Sequence, residues 1–131
     1  MSWELNDKEF DAVTGLDAAR RYSYFLGHVA DWEEVWGLRD EDGWALVGDD
    51  TGAEAIAVWP HERFASACAA DELKGSEPAS IHLDDWMETW LPNMAKDGTR
   101  VAVFMTPSGR GVIIAADVHL AHLEEECEKY G

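Results

Sequence analysis

Apolar positions at helical spacing open and close the chain, and runs that are apolar on both faces fill its middle. Residues 6–13 predict a short helix that Thr14-Gly15 ends. Asp17 is a good N-cap, and behind it Tyr22, Phe25, Leu26 and Val29 fall on one helix face, which Trp32 extends. Three strand-like segments follow, at 35–39, 44–48 and 53–59, separated by the turns Asp40-Glu41-Asp42-Gly43 and Asp49-Asp50-Thr51-Gly52. Aspartate accepts local backbone hydrogen bonds and glycine supplies positive φ, so both turns read as hairpins. The second and third strands are apolar on both faces and are expected inside a sheet covered on both sides, with the three antiparallel strands as the centre of the fold.

Pro60 predicts the first position of a helix, with Glu62 in its first turn and Phe64 and Cys68 facing inward. Residues 74–78 read as a loop and 79–83 as a short strand. Asp85 and Glu88 match a capping box. Leu83, Trp86, Met87, Trp90, Leu91 and Met94 form the cleanest amphipathic stripe, which Pro92 should end or kink near Leu91. Asp97-Gly98 is an exit turn, 101–105 a doubly apolar strand, 106–111 a hairpin loop and 112–115 its return strand. Asp117 is expected to cap a last helix with the stripe Leu120, Leu123, Cys127 and Tyr130. The order predicts one α+β domain over residues 1–131, with a mostly antiparallel sheet of about five strands packed with four or five helices, and residues 1–15 as an N-terminal helical extension.

Charge changes the picture more than length does. The 131 residues carry 27 acidic against 10 basic side chains, a formal charge of −17, while 47% of positions are apolar. That apolar content argues against disorder. The acidic excess makes nucleic acid and anionic membrane poor direct partners, because both are polyanions. Cys68 and Cys127 lie far apart on helical apolar patterns and read as buried free thiols, with a single disulfide as the alternative that nothing in the sequence requires. With no signal-like start and no apolar run near the roughly 20 residues of a membrane span, the expected location is cytoplasmic.

Reactive constellations are scarce. His119 and His122, with Glu125 or Glu126, offer zinc-type ligands at the edge of the last helical stripe, but the usual four-residue His spacing with an intervening Glu is missing. His61, in the first turn behind Pro60, reads better as a hydrogen-bonded structural residue than as a neutral donor in a site. Ser108 lacks a nucleophile elbow, and Gly109-Arg110-Gly111 is too short for a phosphate cradle. The Asp40-Glu41-Asp42-Gly43 turn lacks the later ligands of a calcium loop. No catalytic residue, cofactor or metal is therefore expected. Of the seven tryptophans, Trp44, Trp59, Trp86 and Trp90 read as packed, and Trp3, Trp32 and Trp36 are less determined. An exposed interface is expected near Trp36 and Trp44 beside the acidic turn. The candidate binding residues are Trp36, Asp40, Asp42, Trp44, Trp59 and His61.

The run Ala30-Asp31-Trp32-Glu33-Glu34-Val35-Trp36-Gly37-Leu38, then Asp42-Gly43-Trp44, Val58-Trp59-Pro60-His61, Ile81-x-Leu83-Asp84-Asp85, Trp90-Leu91-Pro92 and Val101-Ala102-Val103-Phe104 resembles the bacterial DUF2750 family over about residues 17–130. The resemblance implies a small bacterial cytoplasmic protein and brings no catalytic residues with it. The leading expectation is a non-enzymatic interaction domain for a basic protein partner, such as an immunity- or antitoxin-like inhibitor, with a homodimer open. The alternative is a small-molecule binding or regulatory domain whose pocket is lined by Trp59, His61 and a neighbouring tryptophan. An enzyme dependent on His61 comes third.

Overall fold

The third of the predicted strand segments, β4 (Glu54–Trp59), is buried at every residue after Glu54 and forms the middle of the sheet. The computed structural model describes residues 7–41, 43–48, 54–69, 75–106 and 111–130. Within these, α1 (Asp7–Thr14) and α2 (Ala18–Trp32) lead into β1 (Glu34–Asp40), β2 (Gly43–Trp44), β3 (Leu46–Gly48) and β4. Then come α3 (Glu62–Ala67), β5 (Glu77–His82) and a helical rod over residues 83–97. The chain ends with β6 (Arg100–Val103), β7 (Val112–Ala115) and α6 (Ala116–Tyr130). The result is an α+β fold on one seven-stranded sheet, antiparallel except where β4 runs beside β6.

The predicted strand over 44–48 is divided. β1 pairs with β5 along one edge, and on the other it meets first β4 (Trp36↔Trp59, Gly37↔Val58) and then β2 (Arg39↔Trp44, Asp40↔Gly43). β3 takes up the corresponding edge of β4 (Leu46↔Ile56). Residues 43–48 thus enter a fork where β1 and β4 diverge, and Ala45 sits at the join. Its N–H donates to Leu38 C=O and its C=O accepts from Ala57 N–H. The expectation of cover on both faces holds for β4 and not here: Trp44, Ala45 and Val47 are half-buried, and Leu46 is 44% exposed.

Helix starts follow local hydrogen bonds. Asp17 caps α2 as expected, accepting from Arg20 N–H at 2.8 Å. Pro60 is not the first residue of α3. It precedes the cap, which is His61, whose Nδ1 accepts from Arg63 N–H at 3.1 Å. The expected capping box at Asp85 and Glu88 does not form either, because the rod begins earlier. α4 (Leu83–Asp85) is capped by His82, whose Nδ1 accepts from Asp84 N–H at 3.3 Å.

Pro92 does not stop the rod. A π-turn over Trp86–Trp90 precedes α5 (Leu91–Asp97), with Leu91 N–H donating to Trp86 C=O. In an α-helix the proline ring collides with the carbonyl four residues back, and the wider π-turn relieves that clash. The rod ends at Gly98, which takes the left-handed conformation (φ 76°) of a C-cap. Part of the predicted 74–78 loop is strand: Pro78 pairs with Leu38 in β5, which has β1 as its partner, and a sheet edge tolerates a residue without an N–H.

Buried side chains from both ends of the chain tie the layers together. Arg21 of α2 is buried and donates its Nε to Phe104 C=O at 3.1 Å and its Nη1 to Leu16 C=O. Phe104 stands at positive φ (58°) where β6 ends, so α2 holds that bend in place. α1 is packed on the core: Val13 is buried and Phe10 stacks on Phe64 at 5.2 Å. α6 begins at Ala116, with Asp117 in its first turn accepting from Val118 N–H. Both cysteines are free, Cys68 buried and Cys127 half-buried. Burial pushes the Cys68 thiol up to about 11. Among the described residues, no helix is long and apolar enough to cross a membrane.

Candidate functional site

Strand alternation decides which of the sequence-selected residues meet. Trp36 and Trp59 are cross-strand partners on one face of the sheet, and Asp40 lies two alternations further along that same face of β1. Trp44 pairs with Arg39 and belongs to the opposite face, where its ring lies over Gly37. A Cβ on Gly37 would stand 3.0 Å from Cε3 and Cζ3 of that ring, so the glycine gives the indole room to lie against the strand. The expected joint surface of Trp36 and Trp44 is therefore split by the sheet.

The other candidates have separate surroundings. Trp59 is fully buried and donates its Nε1–H to Met105 C=O at 2.9 Å, the carbonyl that Cys68 Sγ also reaches at 3.3 Å. His61 is half-buried and occupied at Nδ1 by its cap. Asp40 is exposed at the β1–β2 hairpin, and Asp42 lies outside the described residues.

Where Trp44 does lead is to the rod. It meets Trp90 edge-on at 5.3 Å, and Trp90 packs on Trp86 at 6.0 Å. Beyond Trp44 on the same face, Leu46 and its partner Ile56 face Trp90 and Met94 across a cleft of about 390 Å³. Thr89, Asn93 and Thr99 add polar groups, and the charged residues lining the cleft among the described residues, Glu54 and Asp97, are both acidic. The floor is apolar, one wall is an indole, and the rim is negative.

At the other end of the tryptophan series a polar chain runs outward from the core, from buried Trp86 and His119 to half-buried Tyr22 and His122. Trp86 is fully buried and its Nε1–H donates to His119 Nε2 at 3.4 Å. Indole N–H can only donate, so Nε2 accepts and the neutral imidazole carries its proton on Nδ1. That N–H meets Tyr22 Oη at 3.0 Å, and Tyr22 O–H is then left to donate to His122 Nδ1 at 2.7 Å. Burial, with His122 adding a smaller effect, pushes His119 down to about 3, and burial pushes Tyr22 up to about 12. Both groups stay neutral across the ordinary pH range. His119 is thus not at the partly exposed edge of the helical stripe but at its centre, fully buried. Among the described residues, no group of three or more His, Cys, Asp or Glu is placed to hold a metal ion.

The profile of a protein family of unknown function, DUF2750, matches residues 22–123. The chain belongs to the DUF2750 family. The match runs from Tyr22 to Leu123 and so takes in the cleft and the whole Trp86–His119–Tyr22–His122 chain, while α1 lies outside it. No curated protein and no solved structure matches the sequence. Two features of this DUF2750 chain escape a linear reading. Tyr22 looks like one more stripe residue until α6 is placed beside α2. Leu46 looks like a core residue until β3 is seen at the mouth of the fork.

Proposed function

We propose that this DUF2750 protein is a non-enzymatic interaction domain that binds a basic protein partner, in the manner of an immunity- or antitoxin-like inhibitor. The observation that carries this reading is the charge balance itself, since 10 basic side chains cannot neutralise 27 acidic ones. Of the 10 basic side chains, Arg21 is spent on buried carbonyls. Arg20, Arg63 and Lys129 each already face a carboxylate, of Asp17, Asp7 and Glu126 respectively. With 27 acidic against 10 basic side chains the net field of the chain is negative, and such a field speeds encounter with a cationic surface and repels polyanions. A bacterial, cytoplasmic setting fits the reading. The test is retention of native-lysate proteins on the immobilised chain at low and high salt, with the bound proteins identified. Basic proteins held at low salt and shed at high salt are expected. Retention that ignores salt, or no basic protein retained, overturns the proposal.

A further inference from the structure

The cleft between β3–β4 and the rod has the make-up of a binding site for one kind of protein segment. We propose that it takes a large aliphatic or aromatic side chain presented next to Lys or Arg on the partner, an inference that rests on the basic-partner reading above. Three observations converge. Leu46 is one of three large apolar side chains exposed among the described residues, with Trp32 and Val118, and it alone of these lines the cleft. Behind it, Ile56 and Met94 are buried and Trp90 is half-buried, so an inserted side chain meets a firm apolar floor and an aromatic wall. The volume of about 390 Å³ admits a bulky side chain, and among the described residues the charged ones at its edge are Glu54 and Asp97.

Charge complementarity selects the occupant. A second copy of this chain would bring its own acidic rim against Glu54 and Asp97, at a formal charge of −17 per copy. A basic segment with an apolar anchor satisfies the floor and the rim together. In such a complex the anchor supplies affinity and lifetime, while the cations supply approach.

The experiment titrates the intact chain with two synthetic probes, following tryptophan fluorescence and backbone amide shifts. One is a short Lys/Arg peptide with a central leucine–phenylalanine pair, and its twin has serine in place of both. The anchored peptide is expected to bind at least about tenfold more tightly, the factor that burial of one large apolar side chain supports. Amide shifts are expected to gather at Leu46, Glu54, Asn93 and Asp97. Leu46→Ser should erase the preference and leave the weak, salt-sensitive binding of the serine twin. Equal binding of both peptides, or a preference that survives Leu46→Ser, overturns the cleft and leaves the basic-partner reading standing. If neither peptide binds at low salt, the basic-partner reading falls with it. Dimerisation of the wild-type chain that Leu46→Ser abolishes assigns the cleft to a second copy and also overturns the proposal.

Discussion

Trp86 and Trp90 lie one turn apart on the same rod, and they do opposite things. Trp86 is sealed, with its one polar atom spent on His119, inside a seam where α2, α6 and the rod meet. Trp90 is half-buried and forms a wall of the open cleft beside Leu46. The same residue type on one helix serves cohesion at one position and surface at the next, and what separates them is whether neighbours complete the cover. Truncation sharpens this most. Trp86→Ala is expected to cost about 3–5 kcal/mol, since it opens a cavity and also strips His119 Nε2 of its donor. Trp90→Ala is expected to cost less than half as much. Urea unfolding of both measures the difference, and equal losses would mean the cleft is as much a part of the core as the seam. Trp86→Phe, a smaller loss, keeps the comparison measurable if the alanine variant does not fold.

The seam also sets a pH dependence of stability. Burial lowers His119 from 6.5 to about 3 in the folded chain, so between those values the unfolded state binds the extra proton. Stability is therefore fully present above about pH 6.5 and falls as pH drops toward 3. At about 1.4 kcal/mol per unit, moving from pH 7 to pH 5 should remove roughly 2 kcal/mol. His28, also lowered by burial, adds to the slope with the same sign. Denaturation midpoints across this range should flatten markedly in His119→Leu, and an unchanged slope would show that His119 is not held neutral by the fold.

Within the seam, Tyr22 is the hinge of the hydrogen-bond chain. Tyr22→Phe keeps the ring and leaves His119 Nδ1–H and His122 Nδ1 without the hydroxyl between them. A loss of about 1.5 kcal/mol is expected, in the range for a buried polar group deprived of its partner. A neutral result in urea unfolding would show that solvent reaches His119 and that the seam is not closed.

These contrasts mark where the sequence was legible. The helix stripes, the Asp17 cap, the buried β4 and the α+β class follow from spacing and turn chemistry, which are local. What did not follow depended on partners far along the chain. Pro92 signals a stop or a kink in a local reading, and the π-turn before it explains the continuous rod. Trp36 and Trp44 are both aromatic, both next to an acidic turn, and separated by a hairpin whose register puts them on opposite faces. His119 reads as a marginal stripe residue because Tyr22, 97 positions earlier, is what completes its hydrogen bonding. Leu46 and Val47 look equally internal in sequence, since nothing local reveals that β1 and β4 part there.

The smallest effect expected is on stability at Leu46, and its smallness is the point. The side chain is 44% exposed at the mouth of the fork, so removing it forfeits only part of the transfer energy of a buried leucine. Leu46→Ser should cost less than about 1 kcal/mol in urea unfolding, below Tyr22→Phe and far below Trp86→Ala. A larger loss would place Leu46 among the residues that hold β3 to β4, and exposure at that spot would then be a by-product of the fork. A small loss leaves an apolar side chain that the fold does not need, standing in a surface otherwise rich in carboxylates. That exposed part of the side chain is hydrated in the folded and the unfolded chain alike, so covering it would add to the affinity for whatever binds there and not to the stability of the free protein.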